Sequence, residues 1–298
     1  FEGDGIWECP DLIELPDPVG GTAWLFKVDV FGGHPSGGTG ARLFVGAFDG
    51  TRFTPEPEDA PRWADFGADF YAALSWAHLP GAPARALWLA WMSCHRYAKH
   101  LPTSPWRGAM SVPRELALAR DVAGRWQLQQ RPVAVLAQLR GEAVAAGDLQ
   151  LTGTTRAVAL PAGVDGRTLD ITLTLQPGTA QECGLVVHAD AGGTGTRIGW
   201  HAGRGEVFID RSASGFLPPD DPLYARRHAG VPSERGALHL RVLLDRCSVE
   251  VFVGDGELVL TEQVFPPEAA RGLQLFAAGG SARFEGLNVW PLGAARFG

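Results

Sequence analysis

Apolar and polar positions alternate along this chain over short stretches. Apolar or alternating runs occupy residues 22–30, 42–48, 86–92, 168–175, 238–244, 249–253 and 273–277, and clusters of Gly, Pro, Asp or Ser separate them. A period of two, interrupted by turn formers, predicts strands whose successive side chains face opposite sides of a sheet. Asp49-Gly50 stands between the 42–48 run and residues 51–54. It predicts a hairpin there, because Gly supplies the positive φ of a tight turn. A helical pattern arises over residues 133–146, where Ala, Leu and Val recur around Arg140 and Glu142. With 39 glycines and 22 prolines spread along 298 residues, the pattern predicts an all-β chain with many tight turns.

The aromatic residues divide this picture in two. Trp7, Trp24, Trp63, Trp76, Trp88, Trp91, Trp106 and Trp126 lie in the first half, and only Trp200 and Trp290 in the second. Unequal composition predicts two domains, 1–130 and 147–298, joined by a linker over 131–146 that begins at the Arg131-Pro132 step. The second unit alternates cleanly and reads as a β-sandwich. A formal net charge of −7 argues against nucleic acid as a partner, since that surface needs a basic stripe. No apolar run approaches membrane-spanning length, and no signal segment opens the chain, which leaves localisation open. Cys9, Cys94, Cys183 and Cys247 form no Cys-x-x-Cys pair and share no metal-ligand spacing with His. They read as reduced residues, with no metal and no cofactor implied.

The chemistry-bearing segment is Trp7-Glu8-Cys9-Pro10-Asp11-Leu12. It sets a carboxyl between a large aromatic and a proline-stiffened backbone. A carboxyl held against apolar surface is harder to ionise, which suits a proton donor. Further segments follow in order. Ala64-Asp65-Phe66-Gly67-Ala68-Asp69-Phe70-Tyr71-Ala72 is one, and Trp91-Met92-Ser93-Cys94-His95-Arg96-Tyr97-Ala98 another. Pro102-Thr103-Ser104-Pro105-Trp106-Arg107-Gly108 runs on to Pro113-Arg114-Glu115-Leu116, and Asp245-Arg246-Cys247-Ser248-Val249-Glu250-Val251-Phe252 lies near the end. Together, in this order, they resemble glycoside hydrolase family 32, whose members include levanases, exo-inulinases and invertases.

That resemblance implies a five-bladed β-propeller, here partial, followed by a β-sandwich. It implies hydrolysis of β-fructofuranosidic bonds in levan, inulin or sucrose with retention of configuration, and Glu8 as general acid/base. Retention needs a second carboxylate, roughly 5–5.5 Å from the first. The family's Asn-Asp-Pro-Asn nucleophile motif and its Arg-Asp-Pro motif are both absent. Asp17-Pro18 and Asp221-Pro222 lack the flanking pattern and read as turns. The expectation is a chain holding one half of a catalytic pair and inactive, or nearly so, alone. Part of a propeller also predicts an open apolar face prone to self-association.

Around Glu8, the resemblance makes Trp7, Asp65, Asp69 and His95 candidates for substrate contact. Asp65 and Asp69 could accept hydrogen bonds from sugar hydroxyls, or Asp65 could satisfy the backbone of a turn at Phe66-Gly67. His95 stands where many family members carry Trp. It either alters the leaving-group side of the pocket or packs at a blade edge without touching sugar. Tyr71 and Trp91 read as core, Arg107 as the partner of a nearby carboxylate, and Arg114 and residues 245–252 as structural. A second class of function stays open: a non-catalytic carbohydrate-binding protein using Trp platforms and the sandwich.

Overall fold

A computed structural model describes residues 5–57, 60–218, 221–222, 224, 227–232 and 236–295. The fold is almost entirely β. Strands β1 (Trp7–Pro16), β2 (Thr22–Val30), β3 (Gly40–Phe48) and β4 (Phe53–Pro55) pair antiparallel in chain order, and the short β5 (Arg62–Trp63) adds to β3. A second antiparallel sheet follows in the order β6 (Tyr71–Ser75), β7 (Ala86–Trp91), β8 (Arg114–Arg120) and β9 (Trp126–Pro132). The Asp49-Gly50 turn lies between β3 and β4. Gly50 has φ +94° and the Asp49 carboxylate accepts the Thr51 and Arg52 N–H groups.

These two blade-like sheets pack face to face. Odd-numbered β2 positions Ala23 and Leu25 join Ile13, Leu15, Leu43 and Val45 against Phe70, Trp88, Leu116 and Leu128. Even-numbered positions point the other way: Val28 and Val30 pack with Phe44, and Trp7 joins them. Both faces of β2 are therefore covered, which explains its nearly unbroken apolar run.

The remaining strands are β10 (Val144–Ala146), β11 (Leu149–Ala157), β12 (Leu169–Gln176), β13 (Glu182–Ala189), β14 (Thr196–His201) and β15 (Glu206–Asp210). They continue with β16 (Arg227–Gly230), β17 (Leu238–Asp245), β18 (Ser248–Val253), β19 (Leu258–Gln263) and β20 (Gly272–Pro291). All belong to one antiparallel sheet in the order β16-β15-β14-β13-β20-β12-β17-β18-β19, with β10 and β11 also paired to the long β20. The sheet curls until its two edges nearly meet, where His228 Nδ1 on β16 lies 2.5 Å from Glu262 Oε1 on β19. Its interior is a continuous apolar core that includes Leu173, Leu185, Val207, Val251, Leu275 and Phe284.

The helix expected over 133–146 is not formed. Residues Ala134–Leu139 make a short 3-10 turn, Arg140 is extended, and Val144–Ala146 pair with β20. Tertiary contacts override the local pattern: the Arg140 guanidinium bonds Asp170 at 2.8 Å and stacks on Trp290 at 3.9 Å. The four cysteines are free; Cys94 and Cys183 are buried, Cys9 and Cys247 partly so.

The two halves of the chain are bound by a buried polar seam. Residues 66–69 run along β19: the Phe66 N–H bonds Val259 O at 2.8 Å and the Asp69 N–H bonds Thr261 O at 3.1 Å. Beneath them Arg114 donates to Asp65 at 3.0 Å and to Glu250 at 2.8 Å. Arg211 donates to Asp69 at 2.5 Å and lies 2.7 Å from Glu262.

Candidate active site

Glu8 stands where the layer between the blade-like sheets turns from apolar to polar. On the inner face of β1 and β2 the cross-strand pairs run Leu15–Ala23, Ile13–Leu25, Asp11–Lys27 and Glu8–Asp29. The first two belong to the core; the last two place four charges at one end of it. The Glu8 carboxyl is half-buried, and its Oε2 accepts a 3.0 Å hydrogen bond from the Tyr71 hydroxyl on β6. Burial, and then the bond to Glu8, hold the Tyr71 hydroxyl well above its ordinary pKa, so it stays a donor across the working pH range. Tyr71 is buried as expected, yet it also supplies the contact that fixes the candidate acid. Its distance of 63 residues along the chain hid that role.

An aromatic rim surrounds this pair. His95 is exposed, stacks on Phe31 with ring centroids 5.0 Å apart, and meets Tyr71 edge-on at 5.0 Å. Trp91 lies 5.0 Å from His95. The imidazole is thus a solvent-facing wall beside Glu8. Trp7 belongs to the opposite face of β1, where its ring lies 6.1 Å from Phe44. The adjacency of Trp7 and Glu8 in sequence therefore splits across two faces, because neighbouring strand residues point oppositely.

Asp65 and Asp69 occupy a different environment from the one expected. They are 2% and 0% exposed, inside the seam between the halves. Asp65 accepts from the Gly67 N–H at 2.9 Å, the Thr261 N–H at 2.8 Å, the Thr261 hydroxyl at 2.6 Å and Arg114. Asp69 accepts from the Gln263 N–H at 2.8 Å, the Tyr97 hydroxyl at 2.7 Å and Arg211. The expectation of sugar contact is corrected on this ground: both oxygens of each carboxylate are already engaged and closed to solute. The turn reading of Asp65 describes the geometry. Among the described residues Arg107 pairs with no carboxylate, and its guanidinium donates to the Leu101 carbonyl. Asp17 caps the Val19 N–H in a turn, and Asp221 pairs with Arg96 at 3.2 Å.

Sequence reasoning passed over Lys27 and Asp29. Both are 0% exposed and form an ion pair, and Lys27 Nζ donates to the Cys9 carbonyl at 2.8 Å. Burial pushes the Asp29 carboxyl up to about 6, against the pull of Lys27. The available signal was two opposite charges two positions apart in an otherwise apolar strand. Asp29 faces Glu8, but enclosure and pairing keep it from attacking a sugar carbon.

Comparison with known proteins identifies the family of the chain. The family model "Glycosyl hydrolases family 32 N-terminal domain" matches residues 1–132, and "Glycosyl hydrolases family 32 C terminal" matches residues 135–291. The chain belongs to glycoside hydrolase family 32. It is similar to a levanase of Bacillus subtilis (strain 168), with 38% identity over 97% of this chain and 43% of the levanase. An extracellular exo-inulinase of Aspergillus ficuum is 33% identical over 93% of this chain and 53% of that protein. The crystal structure of exo-inulinase from Aspergillus awamori matches with a TM-score of 0.85 and 29% identity, over 98% of this chain and 58% of that one. Fructan 1-exohydrolase IIa from Cichorium intybus shares the fold at TM-score 0.77 and 19% identity, over 98% of this chain and 62% of that one. The chain thus spans about half the length of the curated relatives it matches.

Proposed function

We propose that this chain carries the acid/base half of a retaining β-fructofuranosidase acting on levan, inulin or sucrose, with Glu8 as the proton donor. The observation that supports it is the half-buried Glu8 carboxyl, bonded by Tyr71 and bordered by an aromatic rim open to solvent. The levanase and exo-inulinase relatives supply the substrate class. In this mechanism Glu8 gives its proton to the departing glycosidic oxygen, then as carboxylate takes one from the attacking water. His95 and Phe31 offer apolar contact to the leaving sugar, and Trp7 stiffens the strand from behind. The nucleophile and the transition-state-stabilising Asp are absent as motifs, and Asp29 is enclosed, so turnover by these 298 residues alone is weak or absent. Residues 1–130 form part of a five-bladed propeller and 147–298 a β-sandwich, with 131–146 between them. The two blade-like sheets within 7–132 and the curled sheet within 144–291 support this division.

The test is release of the leaving sugar from sucrose, inulin and levan, with formate or azide added as an external nucleophile. Release that depends on the added anion and falls about a hundredfold or more in Glu8→Gln is expected. Equal release by both proteins overturns the acid/base role. Vigorous release without added anion overturns the missing-partner assignment. Fructan binding without turnover under any of these conditions favours the carbohydrate-binding reading instead.

A further inference from the structure

We infer that Lys27 and Asp29 are positioning residues for Glu8, a buried ion pair that holds the backbone on both sides of the Glu8–Tyr71 hydrogen bond. The inference rests on the acid/base reading of Glu8. Its ground is a symmetry in the strands. Glu8 is followed by Cys9 at φ +46°, and Tyr71 by Ala72 at φ +51°. Both are non-glycine residues in the left-handed region, which is strained within a strand. Each lies within an irregularity of its ladder, between Glu8 and Asp11 on β1 and between Tyr71 and Leu74 on β6. Such a bulge re-aims the side chain beside it.

One ion pair meets both bulges. Lys27 Nζ donates to the Cys9 carbonyl at 2.8 Å and pairs with Asp29. Asp29 in turn faces the Ala72 N–H and is the cross-strand neighbour of Glu8. The two residues whose side chains make the Glu8–Tyr71 bond are thus each followed by a strained residue, and the same pair touches both. Adhesion alone does not account for it. A buried ion pair is commonly no more stabilising than well-packed apolar residues of similar size. The Leu25–Ile13 level of the same face shows that such residues fit this layer. Lys27 and Asp29 touch no substrate; they act through the aim of Glu8.

The experiment replaces the pair in the full chain with apolar residues, Lys27→Met with Asp29→Leu, and separately makes the isosteric Asp29→Asn. Three quantities are read: the melting temperature, the exchange rate of the Tyr71 hydroxyl proton by NMR, and kcat and KM in the anion-supplemented assay. The double variant is expected to melt near the wild type. Its Tyr71 hydroxyl proton exchanges about tenfold faster or more, and kcat falls by a similar factor with KM unchanged, since misplacement harms the reacting geometry first. Asp29→Asn moves in the same direction. Wild-type hydroxyl exchange in either folded variant overturns the inference. If Glu8→Gln leaves turnover intact, the acid/base reading fails, while the hydroxyl exchange still decides whether the pair holds the bond.

Discussion

The contributions of His34 and Asp29 to stability change in opposite senses as the pH falls. His34 is buried, with Nδ1 2.7 Å from Ser36 Oγ and Nε2 2.9 Å from the Asp65 carbonyl. Burial lowers its pKa to about 4, so it is neutral in the fold. Its contribution to stability is complete above about 6.5 and is lost as the pH falls toward 4, a change of ~3 kcal/mol. Asp29 is the reverse. With a folded pKa of about 6, its contribution is complete below about 4 and is lost as the pH rises through 6, again ~3 kcal/mol. The two slopes oppose one another between pH 4 and 6. Urea unfolding at pH 4.5 and 7 is expected to show His34→Gln gaining stability on acidification relative to the wild type. The Lys27→Met/Asp29→Leu variant should lose it relative to the wild type. Parallel curves for all three proteins would remove both assignments. Glu8 could be nominated from the sequence because its flanking residues are local. Its partners could not, because Tyr71, Lys27 and Asp29 converge on it only through strand pairing.

At the scale of elements, the 64–70 turn and β19 fit so closely that Gly67 admits no side chain. A Cβ there would lie 2.2 Å from the Thr261 carbonyl oxygen and 2.4 Å from its nitrogen. Gly67→Ala is expected to cost about 1–3 kcal/mol, read by guanidinium denaturation, because the obstacle is backbone and cannot swing aside. A loss under about 0.5 kcal/mol, the usual range for surface changes, would show that the turn is loosely seated. Strand existence was read well from local pattern: the 22–30 run coincides with Thr22–Val30, and 238–244 with most of Leu238–Asp245. Alternation, short apolar runs and turn formers are local signals, and strands covered on one or both faces carry one or another of them. The 133–146 segment misled because its Ala and Leu content favours a helix while the Arg140–Asp170 pair and β20 draw it into other conformations. Asp65 and Asp69 misled for a related reason. Their fate depends on Thr261 and Gln263, nearly 200 residues away, and no spacing announces such a contact.

Across the whole molecule, the seam stands out as a cluster of buried, paired charges that joins the two halves. Arg114 and Arg211 are both fully buried and each bridges carboxylates of both halves. Arg114→Met would leave Asp65 and Glu250 enclosed without their cation, and is expected to cost about 3–5 kcal/mol. Because that loss falls on both sides of the seam, tryptophan fluorescence, weighted to the first half, and circular dichroism of the sheets should report one coincident unfolding transition in the wild type. Two separated transitions in the unaltered chain would mean that the halves fold independently. The same arrangement bears on engineering by recombination. A chimera that keeps residues 64–70 but takes β19 from another family member keeps the backbone N–H donors at 261 and 263, and keeps the hydroxyl donor to Asp65 only where Thr or Ser stands at 261. Crossovers that carry the turn, β19 and both arginines as a single cassette should yield soluble hybrids, whereas cuts at the apparent boundary near residue 132 should yield misfolded ones.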